Sequence, residues 1–130
     1  MDGRKAAVLD ERGLWTAAGN DPGLVRDRVE RFLKDSPRHL AEMAKAMDVA
    51  GRRVLEREAR ALRGSAERLG GRRMADAVRR LEEVARSGSL QEAGVAYAAV
   101  AREIRELQQA LAELLRGRDL DQLAPGRVEK

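Results

Sequence analysis

An all-α protein, an antiparallel up-down four-helix bundle with a short additional N-terminal helix, is predicted by three observations. Four long segments each carry their apolar residues on one narrow stripe at helical spacing. Short, mostly glycine-containing connections join them, which suits neighbours running in opposite directions. Aromatic residues are only 2 % of the chain (Trp15, Phe32 and Tyr97), so the core must be built from Leu, Val, Ala and Met. That set favours helix on helix over a β-sandwich. No strand signal, internal repeat or low-complexity stretch competes with this reading.

The first segment, near Asp10–Ala18, is short and carries Leu14 and Trp15 on one side. Gly19-Asn20 ends it, and Asp21-Pro22 opens the next as an N-cap acid followed by proline in the first helical position. That second segment, Pro22–Met47, aligns Val25, Val29, Phe32, Ser36, Leu40, Met43 and Met47. Pro37 lies inside it and is expected to kink the helix rather than end it, because the stripe continues in phase beyond. The third, Arg52–Leu69, buries Leu55, Ala59, Leu62, Ala66 and Leu69, and Gly70-Gly71 stops it with a residue suited to the left-handed C′ position. The fourth, Arg72–Arg86, turns Met74, Ala77, Val78, Leu81, Val84 and Ala85 inward. The fifth, Leu90–Arg116, runs Ala93, Tyr97, Val100, Ile104, Leu107, Leu111 and Leu114 in heptad-like rhythm. Residues 1–118 read as a single domain, and 119–130 lose periodicity and read as a flexible tail.

Absences narrow the function. Without cysteine there are no disulfides, thiolate nucleophiles or Cys-based metal sites. No apolar run reaches the length of about 18 residues that a membrane span needs, and MDGRKAAVLDERG has no hydrophobic signal region, so the expected setting is cytoplasmic. The net charge of +4 invites a nucleic-acid reading, but 22 arginines are interleaved with 22 acids along the helix faces. That pattern suits pairing along a helix better than tracking a phosphate backbone. No HExxH, glycine-rich phosphate loop or metal-ligand cluster occurs, so neither cofactor nor metal is expected.

The third segment holds the informative stretch, REARALRGSAERLGG, from Arg57 to Gly71. Its stripe leaves Arg53, Glu56, Arg57, Arg60, Arg63, Gly64 and Glu67 on the outer face, with Arg60 about 135° from the stripe centre. Gly64 bares the backbone in mid-helix at a cost of about 1 kcal/mol against alanine. Two readings of it stand: close approach by a partner, or tight packing against a neighbouring helix.

From Ala59 to Gly70 the chain resembles the signature of histidine-phosphotransfer (HPt) domains, an acceptor histidine followed by x-Leu-Lys-Gly-Ser, then Ala or Ser, then x-x-Leu-Gly. Leu62, Arg63 (for Lys), Gly64, Ser65, Ala66, Leu69 and Gly70 match it in register. Leu9-Asp10, FLKDSPRHL with its in-helix proline, and AVRRLEE at Ala77–Glu83 are also similar to that family, so the resemblance spans about residues 8–116. It implies an up-down bundle with the histidine exposed in mid-bundle. It also implies a place in bacterial two-component signalling, with a response-regulator receiver domain or a sensor histidine kinase as partner.

The register puts the acceptor histidine at position 60, where this chain has Arg60. Imidazole accepts a phosphoryl group because its neutral form has a nitrogen lone pair. A guanidinium has five donors, no acceptor and a pKa above 12, so it is no nucleophile at physiological pH. No catalytic residue is therefore expected. His39, the only histidine, lies about 60° off the second helix's stripe beside Glu42 and reads as a partly covered surface residue. Ser65 has no base within a turn, and Glu56, Glu67, Glu82 and Glu83 read as partners in helix-surface ion pairs. Arg60 has a bland reading as the i+4 partner of Glu56. In its sharper reading it enters the acidic pocket of a receiver as a fixed cation.

The expectation is therefore an HPt-type binding module that does not accept phosphate and docks through Arg57, Arg60, Arg63, Gly64 and Glu67. A phosphocarrier using His39 or another acceptor is the first alternative. The second is an oligomeric scaffold joined through the fifth helix. A monomer is expected, with a dimer as the other possibility.

Overall fold

The computed structural model describes residues 7–48 and 51–117. Five helices follow one another: α1 Glu11–Ala17, α2 Pro22–Asp48, α3 Arg52–Arg68, α4 Arg72–Ser87 and α5 Leu90–Gly117. The described residues contain no strand. Helices α2 to α5 form a ring in which each packs on its neighbours in sequence and α5 closes onto α2, while α1 lies against α2 and α3. The expected tail, 119–130, lies outside the described residues.

The caps follow from the sequence. The Asp10 carboxylate accepts from Gly13 N at 3.1 Å to start α1, and Asp21 accepts from Gly23 N at 2.9 Å and Leu24 N at 3.3 Å to start α2. Gly19 and Asn20, both with φ near +60°, turn the chain between them. Ser89 and Glu92 form a reciprocal capping box at α5: the Ser89 hydroxyl accepts from Glu92 N at 3.0 Å, and Glu92 Oε1 accepts from Ser89 N at 2.8 Å. Helix α2 continues through Pro37.

The core contains the predicted stripes. Val25, Val29, Met43, Leu62, Leu81, Val100, Ile104, Leu107 and Leu111 are essentially inaccessible, each large side chain contributing about 1.5–3 kcal/mol by its burial. Leu40, Met47, Ala77 and Tyr97 are only half-buried. Ser36, though polar, is fully buried, and Gln108 of α5 donates to its hydroxyl at 2.7 Å, pinning α2 to α5. The Tyr97 hydroxyl donates to Leu40 O at 3.0 Å across the same interface. In the heptad rhythm of α5, Val100, Ile104, Leu107, Leu111 and Leu114 face the bundle's own interior.

Candidate functional site

Helix α3 is held at both ends by contacts that set its rotation. At its start Arg52 donates to Ala85 O at 3.1 Å and Gly88 O at 2.6 Å, satisfying carbonyls at the end of α4. At its end Gly70 takes φ +74°, Gly71 N bonds to Ala66 O at 2.9 Å, and Gly70 N to Glu67 O at 3.4 Å. This is a Schellman stop. A side chain at Gly70 would run into the Asp10 carbonyl, whose own amide donates to Gly70 O at 2.7 Å. The closing glycines of the stretch are thus structural.

Gly64 is different. A Cβ built there meets only the end of the Arg68 side chain, at 3.5 Å, and no neighbouring helix. Of its two readings, tight internal packing has no support in the fold. Gly64 continues a ridge with Arg53, Arg57 and Arg60, spaced four, three and four residues apart along the outer face. The Arg60 side chain is 62 % exposed and donates to Glu56 Oε2 at 3.3 Å. The same oxygen accepts from Arg86 of α4 at 3.1 Å.

Arg63 faces sideways. Its Nε donates to Glu82 Oε2, its Nη2 to Glu82 Oε1 at 3.4 Å, and its Nη1 lies 3.7 Å from Glu67. Glu82 is no surface pair: its side chain is 7 % exposed. Burial makes a cross-helix cation necessary, and Arg63 supplies it. The hydrogen bond and charge of Glu82 in turn raise the Arg63 pKa above its already high ordinary value. Glu67 bridges Arg63 and Arg79 of α4 (3.5 Å), and Arg79 also bonds Asp76 at 3.0 Å. Of the five expected docking residues, Arg57, Arg60 and Gly64 form the open ridge, while Arg63 and Glu67 belong to the α3–α4 ion network.

Sequence reasoning missed Arg86, because its helix is joined to Glu56 only through the fold. The inward place of Glu82 could have been read, since it stands four residues after Val78 and three before Ala85. His39 is not part of the ridge. Its Nδ1 lies 3.0 Å from Glu58 Oε1, and residues 58 and 60 point about 160° apart around α3. Ser65, also off the ridge, lines a groove of about 360 Å³ between α2 and α3, together with His39 and Arg68.

A sequence model described as "Hpt domain" matches residues 27–117, from within α2 to the end of α5. The chain belongs to the Hpt domain family. Its fold is similar to that of histidine-containing phosphotransfer protein B (HptB) from Pseudomonas aeruginosa PAO1, with a TM-score of 0.78 and 24 % identity over 88 % of this chain and all of that one. None of the curated proteins matches the chain significantly. Membership makes the protein a module of phosphorelay signalling, from a family that interacts with response regulators and histidine kinases. Helix α1 lies before the region matched by the family model, and the Asp10 amide just ahead of it donates to Gly70 O. Among the described residues no helix is long and apolar enough to cross a membrane, and no three acidic or histidine side chains cluster to hold a metal.

Proposed function

We propose that this Hpt domain protein docks a receiver domain or a sensor kinase through the α3 ridge without accepting a phosphoryl group itself. One observation carries the reading. At the acceptor's place stands an exposed arginine, and the next residue on the ridge, Gly64, has a bare backbone that no internal contact requires. A guanidinium lacks the lone pair needed to attack phosphorus, so the chemistry is missing while the means of close approach remains. Arginine also complements the acidic pocket of a receiver through charge-assisted hydrogen bonds.

The test combines transfer with binding. Incubated with an autophosphorylated sensor kinase and a phosphorylated receiver, the protein should gain no acid-labile phosphate, yet titration should show binding. Gly64→Gln should weaken the complex by steric obstruction, and Arg60→Glu by placing like charges together. Unchanged affinity in both variants would remove this face as the interface.

One contact favours a second reading. The Glu58 carboxylate at Nδ1 of His39 orients an imidazole that is 27 % exposed, an arrangement that suits a nucleophile or base. A stoichiometric label abolished by His39→Ala would establish that reading in place of the first.

A further inference from the structure

We propose that Arg57, Arg60 and Arg86 read the phosphoryl group on a receiver domain, so that the protein binds the phosphorylated receiver in preference to the unmodified one. This rests on the docking reading above and adds the state of the partner to it.

The charge at the ridge is unbalanced in one place. Arg60 and Arg86 share a single oxygen of Glu56, at 3.3 and 3.1 Å. Arg57, exposed and adjacent to Arg60 on the ridge, has no ion-pair partner among the described residues. The three guanidiniums have one carboxylate between them in ion pairs. Farther along the same α3–α4 surface Arg63 is matched by Glu82 and Glu67, and Arg79 by Glu67 and Asp76. Arg53, Arg68 and Arg80 also lack an ion-pair partner among the described residues, so what marks this place is the convergence of two guanidiniums from two helices on one carboxylate.

Like charges three and four residues apart weaken a helix, and Arg53, Arg57 and Arg60 follow one another at that spacing. Both ion pairs to Glu56 are exposed on the arginine side, 62 % for Arg60 and 53 % for Arg86, so releasing the guanidiniums costs little. Because Arg60 comes from α3 and Arg86 from α4, an oxyanion set over Glu56 would be met from two helices at once. Phosphorylation of an aspartate adds about one negative charge and three strong acceptor oxygens, and arginine is the side chain whose planar fork fits them. The open backbone at Gly64 lets the surrounding loops come close. Since arginine takes no phosphoryl group, the phosphate stays on the receiver, and the module holds that state instead of discharging it.

The experiment titrates the full chain against receiver domains from the source genome in two states: with Mg²⁺ alone, and with Mg²⁺ and beryllofluoride as the phosphoryl mimic. The beryllofluoride state should bind about ten-fold tighter or more, the return expected from one or two charge-assisted hydrogen bonds. Arg60→Gln and Arg86→Gln should reduce that preference toward unity, whereas Arg102→Gln on α5 should keep it. Equal affinity in both states, or a preference that survives Arg60→Gln, would overturn this inference and leave docking intact. A receiver panel that fails to bind in either state would overturn the docking reading itself. Inorganic phosphate alone, at matched ionic strength, should leave the Arg60 and Arg86 Nε–H resonances unmoved. A saturable shift there would assign the ridge to a free oxyanion and overturn the commitment to a receiver.

Discussion

Replacing Gly64 with alanine should stabilise this protein. Glycine in a helix interior costs about 0.8–1 kcal/mol against alanine, and natural helices accept that cost when a neighbour needs the space. Here the added methyl would sit 3.5 Å from the flexible end of Arg68, an ordinary contact, and would touch no backbone. The full propensity gain should therefore appear. With an unfolding entropy of about 2.1 cal/mol/K per residue, a 130-residue chain gains about 3–4 °C in Tm for each kcal/mol. A rise of about 3 °C by calorimetry or by circular dichroism at 222 nm is the expected result. Gly64→Gln should stabilise similarly while its longer side chain obstructs the proposed docking face. Stability and binding would then move in opposite directions, which is the mark of a residue kept for a partner. A fall in Tm for Gly64→Ala would refute the reasoning, because it would show that the bare backbone serves the fold.

Gly70→Ala should do the reverse. Its φ of +74° costs an alanine about 1–2 kcal/mol, and the methyl is driven against the Asp10 carbonyl, so Tm should fall by several degrees and proteolysis should find the α1 segment first. Leu107→Ala empties a fully buried position at the centre of the bundle and should lower the urea-derived stability by about 2–5 kcal/mol; a loss under about 1 kcal/mol would contradict the assigned core. Ser36→Ala removes the buried acceptor of Gln108 and should cost about 1 kcal/mol, measured in the same way. Arg60→His puts an imidazole where the motif's register sets the family's histidine, and under the proposed reading it should acquire acid-labile phosphate from a phosphorylated receiver under conditions where the parent protein acquires none. Failure of that gain in a folded variant that still binds would show that more than the nucleophile has been lost.

Most of the architecture was legible because it depends on local order. The stripe of α3 was visible as Leu55, Ala59, Leu62, Ala66 and Leu69, and the fold buries those same residues. Asp21-Pro22 and Gly70 marked helix ends through their own backbone chemistry, and the structure uses them so. The heptad rhythm of α5 was legible as a stripe but not as to what would cover it. A repeat that suits a seam between chains suits the inside of a bundle equally well.

The sequence by itself determined the helical class, the helix limits and the family motif. Each of these rests on spacing along one chain or on the chemistry of one side chain. Only the tertiary structure decided which charges remain free. Arg60 and Arg63 stand three residues apart with acids at similar spacings. Yet Arg63 is neutralised by Glu82, while Arg60 shares Glu56 with Arg86. The same holds for Gly64 and Gly70, one open to solvent and one closed against α1. Pairing across helices depends on the rotation and relative height of packed neighbours. Those are set by how whole stripes interdigitate, and no local spacing encodes them.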